Sequence, residues 1–292
     1  MKRQRKMMTP SIPPPHGNRT GGRRRAGFGV LLAAALGLAI AGCSSSDEDE
    51  YIERSVSELY NNAMDELAQE NYVDAAKLFD EVERQHPYSV WASKAQLMAA
   101  FSYYQDNKYD EAINALDRFI ELHPGNRDVA YAYYLKGLSY YERISDVRRD
   151  QKMTVNARQS LEEVVQRFPD SKYARDARLK LDLTTDHLAG KEMAVGRFYL
   201  ERGHYLAAIN RFRTVIEEYQ TTSHTPEALH RLVEAYLALG IEDEAKATAA
   251  VLGHNFPGSE WYIDSYELLT GRDIRPEADE DSWIGRVWNS LT

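Results

Sequence analysis

The chain has a single cysteine, Cys43, in 292 residues, so neither an intramolecular disulfide nor a thiolate zinc cage is open to it. It has no basic excess. Against 45 Asp and Glu stand 36 Lys and Arg, for a net charge of −9. A nucleic-acid binder needs a basic surface to neutralise phosphates, so that class is set aside. Catalytic signatures are missing too: HExxH, GxSxG, GxxxxGK[ST] and GxGxxG do not occur. The eight histidines contain no i, i+4 pair, so no metal and no cofactor are expected, and the chain reads as a non-enzyme. Forty-three per cent hydrophobic residues still supply a packed core.

The charge is unevenly spread. Residues 1–42 hold eight basic residues and no acid, leaving 28 basic against 45 acidic residues beyond them. After Arg25 comes AGFGVLLAAALGLAIAG, an apolar run that ends at Cys43. Seventeen residues span roughly 25 Å as a helix, marginal for a permanent transmembrane segment. A basic start, a short apolar stretch and small residues at its end describe an export signal over 1–42. Ile40-Ala41-Gly42-Cys43 resembles the bacterial lipobox, which makes Cys43 the expected lipidation (palmitate) site. Ser44 stands where an Asp would resemble an inner-membrane retention signal, so the outer membrane is the expected location. Residues 43–53 read as the acylated cysteine and a polar tether.

The middle of the chain repeats. QHPYS, LHPGN, RFPDS and NFPGS recur at Pro87, Pro124, Pro169 and Pro257, each 12 residues after an alanine: Ala75, Ala112, Ala157 and Ala245. A further unit on Ala208 and Phe212 has Gln220 in place of the proline. Twelve residues before Ala75, Ala112, Ala208 and Ala245 lie Ala63, Ala100, Gly196 and Val233, small or modest residues as a close helix crossing requires. Two small sites, a large apolar residue after the second and a closing proline form the tetratricopeptide pattern. The expected fold class is all-α, a tetratricopeptide-repeat superhelix of about five helical hairpins. Over 54–271 the repeats read as about 54–90, 91–127, 128–172, 188–224 and 225–260, with a connecting helix at 173–187. In the third repeat Gly137 sits 20 residues before Ala157. The eight extra residues, around Ile144 to Thr154, read as a solvated extension of the inter-helix loop in preference to a contact site.

First helices of such repeats line a concave face. The helical stripe of the first repeat carries Tyr60 and Met64, the second Leu97, Phe101 and Tyr104, the third Tyr131, Tyr134, Leu138 and Tyr141. The fourth and fifth bring Arg197, Glu227, His230 and Glu234 instead. The Tyr-rich stripe suits an extended, unfolded apolar client segment, and equally suits residues that pack on one another. Residues 272–292 read as an acidic linker followed by an amphipathic tail. Its Trp283, Ile284, Val287, Trp288 and Leu291 share one face, which docks on a partner or lipid, or folds back on its own domain.

QHPYSVWASKAQLMAAFSYYQDNKYDEAINALDRFIELHPGN and DVAYAYYLKGLSYYERI, behind a lipobox, resemble the BamD (ComL/YfiO) family of lipoproteins of the outer-membrane β-barrel assembly (BAM) machinery, over roughly 43–270. The resemblance implies no enzymatic activity, a role in outer-membrane protein assembly and insertion into the membrane, and lipid anchoring on the periplasmic face of the outer membrane. It implies client recognition by the N-terminal repeats. For the C-terminal repeats it implies contact with the POTRA domain of BamA nearest the barrel, besides other BAM lipoproteins. The family's Asn-Arg pair in that contact falls on Asn210 and Arg211. The alternative, sharing anchor and fold, is a periplasmic adaptor lipoprotein for cell-wall enzymes or cell-division coordination.

Overall fold

The structure, a computed structural model, describes residues 53–272 and 283–289. Cys43, the signal segment and most of the tether and acidic linker lie outside the described residues. Among these, twelve helices and no strand occur: α1 (Val56–Ala68), α2 (Tyr72–Gln85), α3 (Ala92–Gln105), α4 (Tyr109–Leu122), α5 (Val129–Tyr141), α6 (Lys152–Arg167), α7 (Lys172–Glu201), α8 (Tyr205–Glu218), α9 (Thr225–Leu239), α10 (Glu242–Asn255), α11 (Glu260–Thr270) and α12 (Trp283–Asn289). None of the described helices is long and apolar enough to cross a membrane.

Successive helices from α1 to α10 pack pairwise, and the first helices of neighbouring hairpins also touch: α3 with α5, α5 with α7, α7 with α9. This is the tetratricopeptide hairpin stack, in which an apolar face that one hairpin cannot bury alone is buried by the next.

Two recurrent turns make the stack periodic. Seven residues after the small site of a first helix, the backbone turns left-handed, at Glu70 (φ 63°), Asn107 (φ 59°), Gly203 (φ 72°) and Gly240 (φ 73°). Each time, the next residue donates to a carbonyl five residues back: Asn71 to Glu66, Lys108 to Tyr103, His204 to Tyr199, Ile241 to Tyr236. These are Schellman closures, which satisfy carbonyls that the helix end leaves open. Every second helix ends in one non-helical residue of recurring geometry: His86, His123, Phe168, Tyr219 and Phe256, all with φ between −130° and −133° and ψ between 29° and 56°. Proline follows four of them, where its missing N–H and fixed φ keep the helix from continuing. Gln220 follows Tyr219, which has the same φ of −132° but a ψ of 29° against 51–56° in the others, so the turn still forms, with a shifted ψ, where proline is missing.

At each hairpin crossing, residue sizes compensate. Ala63 shares a core with Phe79 and Ala100 with Leu116. Val233, the largest of the first-helix residues, shares one with the smallest partner, Ala249. Where the first residue is glycine there is no room for more: a Cβ on Gly137 would stand 2.9 Å from Leu161 Cδ2, and one on Gly196 would stand 2.4 Å from Phe212 Cε1.

Two elements resolve what the sequence leaves open. The expected connecting helix and the first helix of the fourth repeat are a single 30-residue helix, α7, because no proline or left-handed residue interrupts it. Its N-terminus is capped by Ser171, whose Oγ accepts from the Ala174 amide at 3.2 Å. The tail helix α12 folds onto its own domain. Ile284 is fully buried, Trp283 Nε1 donates to the Tyr236 hydroxyl at 2.9 Å, and Arg213 lies 4.1 Å over the Trp283 ring. Trp288 meets Phe256 edge-on at 6.4 Å.

Because Phe212 is fully buried, its ring has nowhere to retreat. Gly196→Ala is expected to destabilise the fold by about 1–3 kcal/mol, more than the ~1 kcal/mol that alanine ordinarily gains over glycine within a helix. Gly125→Ala, with nothing within 4 Å, should stay within about 0.5 kcal/mol of the parent. Urea denaturation of both variants decides, and a Gly196→Ala protein as stable as the parent contradicts the close crossing.

Candidate functional site

The Tyr-rich stripe of the first three repeats is partly core and partly surface. Tyr60 (5% exposed) and Leu97 (7%) lie in the core and offer almost no surface, a correction to their place in the expected groove. The Tyr60 ring is closed in by Phe79 at 5.5 Å and Trp91 at 4.8 Å, with Lys94 Nζ 5.3 Å from its centroid. Met64, by contrast, is exposed. Phe101, Tyr104, Tyr131, Tyr134, Leu138 and Tyr141 are half-buried.

The tyrosines form a connected ladder from α3 through α5 to α7. Tyr104 donates to Glu142 Oε1 at 3.4 Å and meets the Tyr109 ring at 5.7 Å. Tyr173, from the first turn of α7, stands 5.4 Å from Tyr131 and is stacked on Tyr134 at 5.3 Å. The Tyr134 hydroxyl donates to Asp176, which also binds Lys180 at 3.1 Å. Lys180 Nζ lies 5.4 Å from the Tyr141 ring. Ring stacking and a bonded hydroxyl hold these side chains in one conformation, so a flat aromatic ledge is preorganised along the stripe.

Tyr173, Asp176 and Lys180 were not among the residues singled out from sequence. They fall at i, i+3 and i+7 of α7, a helical face in the same register as the stripes. That signal is visible once 173–187 is treated as a first helix and not as a connector.

Burial and then the neighbouring Glu142 push the Tyr104 hydroxyl up to about 12. Tyr131 is also pushed up to about 12, by burial and by Tyr173 and Tyr104 beside it. Burial and the bond to Asp176 raise Tyr134 as well. That same hydroxyl, and then Lys180, hold the Asp176 carboxyl below the usual range against the effect of its burial.

The last two repeats are different in kind. Arg197 binds both oxygens of Glu227 at 2.8 Å. His230 is buried, with Nδ1 2.9 Å from Ser265 Oγ. Burial lowers the His230 pKa, against the raising effect of nearby Glu234. The charges of this half therefore largely pair with one another. Arg211 is exposed on α8 and its Nη1 donates to Glu192 Oε2 of α7 at 3.1 Å; Asn210 beside it is exposed too. The tyrosine ledge and the Arg211 surface thus both rest on α7, toward its opposite ends. Among the described residues no group of three His, Cys, Asp or Glu is placed to hold a metal ion.

The chain's relatives are consistent among themselves. Residues 52–252 match the sequence profile of YfiO, described as "Outer membrane lipoprotein". The chain is 52% identical over 254 residues to "Outer membrane protein assembly factor BamD" of Caulobacter vibrioides, covering 86% of this chain and 83% of that protein. It is 49% identical over 241 residues to the protein of the same name from Rickettsia prowazekii (82% and 96% covered). With that of Neisseria meningitidis serogroup A it shares 39% over 253 residues (82% and 95% covered).

The tyrosine ledge makes a prediction about pH. Folding favours the neutral hydroxyls of Tyr104 and Tyr131, whose pKa rises from 10.0 to about 12. Their contribution is complete below about pH 10, where the unfolded chain starts to ionise, and is lost as pH rises to about 12. Denaturation followed from about pH 9 to about pH 12 should show stability falling less steeply in Tyr104→Phe/Tyr131→Phe than in the parent. Identical slopes contradict the burial of these hydroxyls.

Proposed function

This chain belongs to the YfiO family of outer membrane lipoproteins, and from that premise we propose how its two halves divide the work of an outer-membrane protein assembly factor. It is a scaffold and works by binding. The family membership sets aside the adaptor reading for cell-wall enzymes. In our reading Cys43 carries the acyl anchor, and the repeats face the periplasm from the outer membrane. Several acyl chains hold a protein to a bilayer far better than one.

The observation that carries the division of labour is the contrast between the halves. Repeats two and three present half-buried aromatic faces, while the inner stripes of repeats four and five are closed by the ion pairs of Arg197 with Glu227 and of Arg231 with Glu234. A preorganised aromatic ledge binds an unfolded apolar strand at low entropic cost and tolerates variation in its sequence. The first half therefore takes unfolded outer-membrane protein segments along Met64, Phe101, Tyr104, Tyr131, Tyr134, Leu138 and Tyr141. The second half holds the machine: Arg211, with Asn210, faces the POTRA domain of BamA nearest the barrel, and other BAM lipoproteins bind the same scaffold.

Arg211 has an internal partner, Glu192, and this sharpens its test. Arg211→Glu should abolish copurification with BamA from solubilised envelopes and leave the helical circular dichroism unchanged. Glu192→Ala, which releases the guanidinium, should retain copurification. If Glu192→Ala loses BamA as completely as Arg211→Glu, the arginine acts through the internal pair and the contact is elsewhere. For the client half, photocrosslinkers at Met64 and Tyr104 should give adducts with nascent outer-membrane proteins. Adducts confined to positions on α8 and α10 would refute the assignment.

A further inference from the structure

The third repeat lacks the left-handed turn of the other four; among the described residues no positive φ falls in it. In its place the extra residues form a folded loop that lies along α7. Lys191 Nζ donates to the carbonyl oxygens of Arg148 and Arg149 at 3.3 and 3.4 Å. Gln151 at the loop's end meets His187 Nδ1 at 3.0 Å. Val147 of the loop lies over Gly190, where a Cβ would meet Val147 Cγ1 at an ordinary contact distance of 3.5 Å and His224 Nε2 more tightly at 3.1 Å. Three hydrogen bonds anchor the loop to α7, while its charged residues Asp146, Arg148, Arg149 and Asp150 stay exposed, as expected from the sequence.

Between this loop and the last three turns of α7 lies a cleft of about 650 Å³, lined among others by Val147, Arg148, Lys191, Val195, Arg197 and Phe198. Its lining mixes apolar with cationic side chains. Phe198 is 47% exposed, a large ring left facing solvent. Arg202 covers one side of that ring at 3.7 Å. Arg197 is neutralised by Glu227. The Arg148 backbone amide donates to Asp146 Oδ1 at 2.8 Å, and Glu201 stands on the lining, but the Arg148 and Lys191 side chains form no ion pair among the described residues. Beyond its first 42 residues this chain has far more acids than bases. Two side-chain cations outside any ion pair on one cleft lining are complemented by carboxylates brought from outside.

We propose that this cleft docks a segment of a partner protein that carries carboxylates on either side of an apolar side chain. The apolar group lies against Phe198 and Val195, and the carboxylates meet Arg148 and Lys191. A cleft with an exposed aromatic ring on its lining suits one inserted side chain, whereas an anionic bilayer calls for a flat, outward patch. That the partner belongs to the assembly machine rests on the function proposed above. The chemistry of the cleft does not, and it is tested without any such partner.

The probe is a fluorescein-labelled peptide, Gly-Ser-Glu-Asp-Phe-Glu-Asp-Gly-Ser, titrated with the full chain and read by anisotropy at low and at physiological salt. Binding is expected, weakening with salt. It should fall at least about tenfold in Arg148→Glu/Lys191→Glu and when the peptide's phenylalanine is replaced by serine. Lys191→Met, which keeps the stem and most of the packing, should also weaken it, so the outcome does not hang on one variant's folding. Arg127→Glu, a charge reversal at an exposed site in the second repeat, should leave it unchanged. Two results overturn the proposal. One is peptide affinity equal in parent and cleft variants. The other is cosedimentation with phosphatidylglycerol vesicles that the cleft variants lose while peptide binding persists, which makes the cleft a lipid site.

Discussion

Everything in this molecule hangs on how closely the two helices of each hairpin approach. The approach is set by one residue pair per repeat whose volumes compensate: Gly196 under Phe212, Gly137 under Leu161, Ala63 with Phe79, Val233 with Ala249. Cores are close-packed, so one methyl in excess at such a point is felt by the whole hairpin. The left-handed Schellman turn seven residues on then returns the chain at a fixed angle, and the non-helical residue at the end of each second helix launches the next hairpin. Three local rules, repeated, suffice to place side chains from distant repeats on one inner stripe.

The fourth repeat breaks the monotony in a useful way. Its first helix is extended backward into α7, about 45 Å long at 1.5 Å per residue. The start of α7 completes the aromatic ledge through Tyr173, Asp176 and Lys180. Its middle seats the loop of the third repeat at Gly190. Its end carries Phe198 and the cationic cleft, and Glu192 holds Arg211. The division of labour proposed above needs a stiff connection between the two halves. A helix packed against α5, α6, α8 and α9 is the obvious candidate for it.

Most of the fold was legible in the sequence, because tetratricopeptide positions are defined by volume and turn chemistry, and these survive divergence. The register of small and large residues gave the hairpins, and the prolines marked the turns. What escaped depends on who packs against whom. Tyr60 and Leu97 share the spacing of the ledge residues yet are buried by Trp91 and by neighbouring helices, which periodicity does not report. The continuity of α7 was hidden because its first half follows a proline turn like any other unit, and its own stripe residues were passed over. The charges of the third-repeat loop are exposed, as the sequence suggested, but the anchoring of its backbone by Lys191, 43 residues on from Arg148, has no signature. The amphipathic tail left two readings open, and Trp283 beside Arg213 and Tyr236 chose between them. Cys43 and the lipid anchor rest on the sequence alone.

The central claim is that α7 is one unbroken helix joining the aromatic ledge of the first repeats to the repeats that follow. Hydrogen exchange of the full chain, read at single-amide resolution across residues 172–201, tests it most directly. The account predicts one protected block with exchange rising only in the terminal turns. A band of fast exchange near residues 185–190, dividing the segment into two separately protected helices, would contradict it.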